Sequence, residues 1–187
     1  MTYKIRENCI FEHVDVYETE QELLSYLNKL SGPLGLMIME FNALEDEISI
    51  CLSDAYEMLD QSIDLKVLSK KMYKGKQVSI VKLYKTLCDS NGELHYALSR
   101  LEKLLEDSGS SRNQFTHASW LYASPSRGVA CSQDKSTYRK FDLTDIQNSH
   151  NTITRARAHL IHFHKRVQLA NQQVKSDLQR LAKSDQG

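Results

Sequence analysis

The chain has few of the residues that interrupt helices: two prolines and seven glycines in 187 residues. It also has only four cysteines, at positions 9, 51, 88 and 131, with no C-x-x-C pair. A zinc ribbon and a disulfide scaffold are therefore excluded, and reduced thiols in a cytoplasmic protein are the expected state. No apolar run approaches the roughly 20 residues that a membrane-spanning helix requires. The first residues, Met1-Thr2-Tyr3-Lys4-Ile5-Arg6, hold no apolar stretch that would read as a secretory signal. Gly-rich phosphate loops of the G-x-x-x-x-G-K-[ST] and G-x-G-x-x-G types are missing, as is the G-x-S-x-G hydrolase turn. No E-x-x-H pair occurs, which removes the carboxylate-bridged di-iron bundle.

Excess charge of either sign is missing only on average. The 24 basic and 24 acidic side chains cancel, yet residues 1–60 carry 3 basic and 13 acidic ones. Residues 61–143 carry 14 basic and 8 acidic, and residues 144–183 carry 7 basic and 2 acidic. A basic surface of that extent suits a polyanion if folding gathers it on one side, whereas packing acidic helices on basic ones would consume it.

Helical periodicity dominates what is present. Residues 19–30 form a short pattern through Leu23, Leu24, Leu27 and Leu30, which Ser31-Gly32-Pro33 should close. From Leu34, apolar residues follow at 37, 41, 44, 48, 52, 55 and 59, predicting one long core helix. Residues 76–88 (Val78, Val81, Tyr84, Leu87) and 93–105 (Leu94, Leu98, Leu101, Leu105) repeat the pattern. Ser108-Gly109-Ser110-Ser111 should then break the chain, with Ser110 or Ser111 capping a new helix. Pro125 and Gly128 predict a hairpin or ordered loop in residues 121–143. A last helix, capped by Thr144 with Asp145, should run to about Lys183 on a seam of Ile153, Ala156, Leu160, Phe163, Val167, Ala170, Val174 and Leu181. The expected fold is an all-α helical bundle with two long core helices and a short hairpin insertion. An acidic N-terminal segment (1–31), a helical domain (32–183) and a tail (184–187) divide it.

Few side chains suggest chemistry. His159, His162 and His164 form an H-x-x-H-x-H cluster, but only the first two share a helical face and no carboxylate lies near in sequence. Solvated flank positions are the expectation, with no metal. Glu45 borders the long apolar stripe and either reaches solvent or orients a catalytic Arg or His. The segment Arg112-Asn113-Gln114-Phe115-Thr116-His117 is the strongest candidate. Asn113 and His117 are four apart and share a face. A guanidinium, an imidazole and the N–H groups of a helix start would together suit a phosphodiester.

That segment resembles the HEPN family, whose signature is Arg, a polar residue, and His after four to six intervening residues. Phe41-Asn42-Ala43-Leu44-Glu45 is similar to an F-N-x-L-E pattern recurrent in bacterial members, and the order of long helices, loop and closing helix is similar as well. The bare spacing recurs in Arg157-Ala158-His159-Leu160-Ile161-His162, which lacks the polar residue after Arg and reads as a decoy. The resemblance implies a metal-independent endoribonuclease of toxin or phage-defence type, without cofactor. It would act as a homodimer with a composite cleft, on RNA, under a cognate antitoxin or within a defence complex. His117 would move the proton, Arg112 would stabilise the transition state, Asn113 would fix the imidazole or a phosphate oxygen, and Glu45 would orient Arg112. Ser119 stands where many HEPN toxins have a Tyr modified by a nucleotidyltransferase antitoxin, which puts that control in doubt. A non-catalytic RNA- or nucleotide-binding protein, an accessory subunit of a defence or toxin–antitoxin complex, and a plain helical interaction protein remain the other readings.

Overall fold

A computed structural model describes residues 2–4, 20–88, 92–116, 119–124, 128–132 and 137–184. The fold is a helical bundle, and its described elements are five helices and four short strands. In chain order they are β1 (Thr2–Lys4), α1 (Glu20–Met58), α2 (Leu65–Lys70), α3 (Tyr73–Leu87), α4 (Gly92–Thr116), β2 (Ser119–Ser124), β3 (Gly128–Ser132), β4 (Thr137–Phe141) and α5 (Leu143–Ser184). They pack as two compact units, residues 1–42 with 107–154 and residues 43–106 with 155–187. No described helix is long and apolar enough to cross a membrane.

The expected break at Ser31-Gly32-Pro33 does not occur. α1 runs through it for 39 residues with Pro33 inside, so the boundary expected at residue 31 falls within a helix. Proline costs a helix interior about 3 kcal/mol because its N–H is missing and its ring crowds the preceding turn. The apolar stripe continues on both sides of it, with Leu30, Met37, Phe41 and Leu44 all buried. Ser31 Oγ donates to the Asn28 carbonyl at 2.9 Å just before it. Beyond residue 42 the same stripe continues through Ile48, Leu52 and Ala55, also buried. α1 ends in paired bonds, Asp60 N–H to the Glu57 carbonyl at 3.0 Å and Gln61 N–H to that of Tyr56 at 2.9 Å. This closing turn puts Asp60 in the left-handed region, at φ 55°.

A second expected break also fails. α4 is one helix from Gly92 to Thr116 that includes Ser108-Gly109-Ser110-Ser111. Its stripe of Leu94, Leu98, Leu101 and Leu105 extends through buried Ser108 to buried Phe115. Steps of three and four carry it across the weak segment, so burial overrides local propensity.

The expected hairpin is the centre of a larger sheet. β2 pairs with β3, with a register shift between Trp120 and Tyr122. β3 pairs with β4, and β1 adds to the far side of β4. The four strands are antiparallel in the order β1-β4-β3-β2. At the end of β4 the Phe141 ring packs on Phe115 of α4, centroids 4.8 Å apart.

α5 follows at once. Its cap is Asp142 rather than Thr144: Asp145 N–H donates to Asp142 Oδ1 and Asp142 N–H to Asp145 Oδ2, both at 3.0 Å. The seam is buried at Ile153, Ala156, Leu160, Phe163 and Val167, but Val174 and Leu181 are exposed. α3 buries Ile80, Val81 and Tyr84 and turns Val78 to solvent.

Candidate functional site

The residues of the phosphodiester candidate lie at the C-terminal end of α4, not at a helix start. Arg112 is in the penultimate turn and Asn113 begins the last one. The backbone N–H groups there are consumed by the helix, and the terminal carbonyls carry partial negative charge. The expected contribution of helix N–H donors to phosphate binding is therefore overturned. The same carbonyl end favours a cation, which suits Arg112.

Contacts to Phe41, Asn113 and Thr116 help to hold this end. The Arg112 guanidinium carbon stands 5.6 Å from the centroid of the Phe41 ring, within cation–π range. Arg112 Nη1 donates to Asn113 Oδ1 at 3.1 Å, and Thr116 Oγ1 donates to the Arg112 carbonyl at 2.9 Å. Arg112 lies four residues after Ser108 and three before Phe115, on the line of the buried stripe, and is half-buried, whereas Asn113 is exposed. Phe115 on Phe141 anchors the helix end that carries both. His117 follows Thr116 directly and lies outside the described residues.

Glu45 occurs in a different setting. Its Oε1 accepts from Lys76 Nζ at 2.9 Å, with the Lys76 side chain only 6% exposed and that of Glu45 27% exposed. A buried ammonium requires such a counter-charge. Beside the pair, Tyr73 O–H donates to the Leu105 carbonyl at 2.7 Å. Burial, and then the Glu45 carboxylate, push the Tyr73 phenol well above its ordinary range. Nothing in sequence marks Lys76 as this partner, because a lysine in a basic helix reads as solvated.

The histidine cluster divides. His164, expected on a solvated flank, is buried. Its Nδ1 lies 2.8 Å from the Tyr84 hydroxyl and its Nε2 3.1 Å from Asp54 Oδ2. A carboxylate only accepts, so Nε2 donates to Asp54, while the Tyr84 hydroxyl bonds Nδ1. Gln168 Nε2 donates to the same Asp54 oxygen at 3.3 Å. Phe163 packs edge-on against Tyr84, 5.0 Å between centroids. Burial drives the Tyr84 phenol far above its usual range. It also raises the neighbouring Cys51 thiol to about 12, with Glu47 adding to the effect, and Cys88 to about 11. Both thiols stay protonated near neutrality, which removes them as nucleophiles. His162 is exposed and His159 half-buried. Burial, then the charges of Arg100, Arg155 and His162, hold the His159 imidazole below its ordinary range. Among the described residues no group of three His, Cys, Asp or Glu side chains is placed to hold a metal.

Two polar centres therefore stand out. In the Tyr84–His164–Asp54 chain the two imidazole nitrogens and the tyrosine hydroxyl are consumed within the fold. At the end of α4 a half-buried cation lies over an aromatic ring beside an exposed amide. No protein-family model, curated protein or solved structure matches this chain.

Proposed function

We propose that the chain is a metal-independent, HEPN-like endoribonuclease that works as a homodimer with a composite cleft, in a toxin or phage-defence role. The observation that carries this reading is the guanidinium of Arg112, stacked on Phe41 and bonded to Asn113, in the helix end that leads into His117. Its basis in sequence is the Arg112-Asn113-x3-His117 motif. In the reaction one imidazole accepts the proton of the RNA 2′-OH while O2′ attacks phosphorus. The P–O5′ bond breaks, and O5′ leaves with a proton from a second imidazole, supplied by the other copy. The products are a 2′,3′-cyclic phosphate and a 5′-OH end. Arg112 stabilises the charge that grows on the equatorial oxygens, with Phe41 fixing its plane. Asn113 fixes an imidazole or a phosphate oxygen. Glu45 is assigned to supporting the fold through Lys76. A cognate antitoxin or a defence-complex protein would hold the activity in check, in the cytoplasm.

A second reading has an observation in its favour. The carbonyl end of α4 opposes a phosphate at Arg112, which suits a chain that holds RNA or a nucleotide elsewhere on its surface and does not cleave it, as an accessory subunit. Induced expression of wild type beside His117→Ala, with total RNA run on a gel, separates the two. Growth arrest and RNA fragmentation that vanish in the variant are expected. Arrest that survives the substitution would overturn the assignment, and RNA binding without fragmentation would support the second reading.

A further inference from the structure

The α2–α3 segment carries charge of one sign only. Residues 65–88 hold seven lysines and no Asp or Glu. Folding neutralises three of them: Lys76 on Glu45 at 2.9 Å, Lys74 on Glu106 at 3.7 Å and Lys85 on Glu102 at 3.4 Å. The last two pairs are solvent-exposed, where such bridges contribute little and exchange readily for another anion. Lys71 donates to the Ser79 hydroxyl at 3.3 Å. Lys70 and Lys82 have no carboxylate within 4.0 Å among the described residues. On the solvent face of α3, Lys74, Val78, Lys82 and Lys85 follow at steps of four and three, a line about 16 Å long at 1.5 Å per residue. They edge a groove of about 270 Å³ whose other wall is Glu102 and Glu106 of α4.

From the exposed lysines that no described carboxylate pairs we infer that α2–α3 is a docking surface for the phosphate backbone of single-stranded RNA, gripped chiefly by Lys70 and Lys82. The inference deepens the ribonuclease reading, since it names a grip on the same substrate away from the reacting group. An anionic membrane fits less well. The apolar side of α3 (Ile80, Val81, Tyr84) is already buried, and the exposed Val67, Met72 and Val78 leave too little apolar surface to insert. Lysines without base-reading partners hold a backbone regardless of sequence, and each phosphate they neutralise releases counterions.

The test uses the full chain carrying His117→Ala, so that RNA is held but not cut, with a fluorescent 12-nucleotide oligouridylate titrated across a series of KCl concentrations. Adding Lys70→Gln and Lys82→Gln is expected to weaken binding by roughly 25-fold at 0.1 M salt and to flatten the log–log salt slope by about 1.4, from about 0.7 per single-strand contact. Both lysines are exposed, so the variant should fold as the parent does. Unchanged affinity and slope would overturn the inference, as would a parent that binds no RNA. A variant that loses binding to phosphatidylserine vesicles while keeping RNA would overturn it too. Cleavage by the otherwise native chain is scored separately. Lysine-dependent binding without cleavage would sink the ribonuclease reading alone, and cleavage with lysine-independent binding would sink this inference alone.

Discussion

The two polar centres of this molecule use similar groups in opposite ways. Around His164 a buried phenol and imidazole bond each other and reach a part-exposed carboxylate and amide, with the Tyr84 ring packed on Phe163. At the end of α4 a half-buried guanidinium is steadied by the Phe41 ring and the Asn113 amide and remains within reach of solvent. A network in which both imidazole nitrogens and the phenol are already bonded lowers the energy of the folded state. A cation held in place but still open to solvent can transfer its hydrogen bonds to an incoming phosphate at small cost. A histidine's sequence company does not separate the two cases, but its partners do.

The largest expected contrast is in activity. Arg112→Ala and His117→Ala should each lower RNA cleavage by roughly 10³-fold, a usual loss for a removed transition-state donor or proton carrier, with thermal midpoints close to wild type. Tyr84→Phe should do the reverse, leaving cleavage unchanged while destabilising the fold by about 1–3 kcal/mol, because His164 Nδ1 is left buried without its hydrogen-bond partner. Urea titrations read the second effect. A cleavage loss in Tyr84→Phe at full folding would erase the distinction between the centres.

A smaller effect should appear in alkali. The folded Cys51 thiol is raised from 9.0 to about 12, so its protonated form stabilises the native state below about pH 9, and that stability is lost as pH rises toward 12. Stability curves for wild type should decline over that window more steeply than those for Cys51→Ala. Equal declines would show that the thiol is not desolvated as the structure has it. The smallest effect lies outside both centres. A Cβ built on Gly75 meets only Lys71 Cβ, at 3.8 Å, so Gly75→Ala should raise stability by about 0.5–1 kcal/mol without touching cleavage.

Much of the helical scaffold was legible in sequence, because a stripe of large apolar residues survives reading in one dimension. Met37, Phe41, Leu44, Ile48 and Leu52 lie where their spacing puts them, as do Leu94, Leu98, Leu101 and Leu105. Punctuation was legible less well. Pro33 and Ser108-Gly109-Ser110-Ser111 are local signals of a fraction of a kcal/mol to a few kcal/mol each, and buried side chains on either side outweigh them. Because α4 runs through Ser108-Gly109-Ser110-Ser111, the candidate site lies at the end of a helix rather than its start, where the local dipole has the opposite sign. The seam of α5 was read to Leu181, but only the part up to Val167 is buried, since periodicity marks a face and not what covers it. The strand β1 joins β4 across more than a hundred residues, a pairing no local pattern announces. Phe41 was legible as a motif residue, yet its service under Arg112 depends on the same long-range packing.

The most direct measurement is cleavage of single-stranded RNA by the purified protein in excess EDTA, wild type beside His117→Ala, with the ends of the fragments analysed. The account predicts fragments ending in 2′,3′-cyclic phosphate and 5′-OH from wild type and none from the variant. Equal cleavage by both proteins, or cleavage by wild type only when a divalent metal is restored, would contradict it.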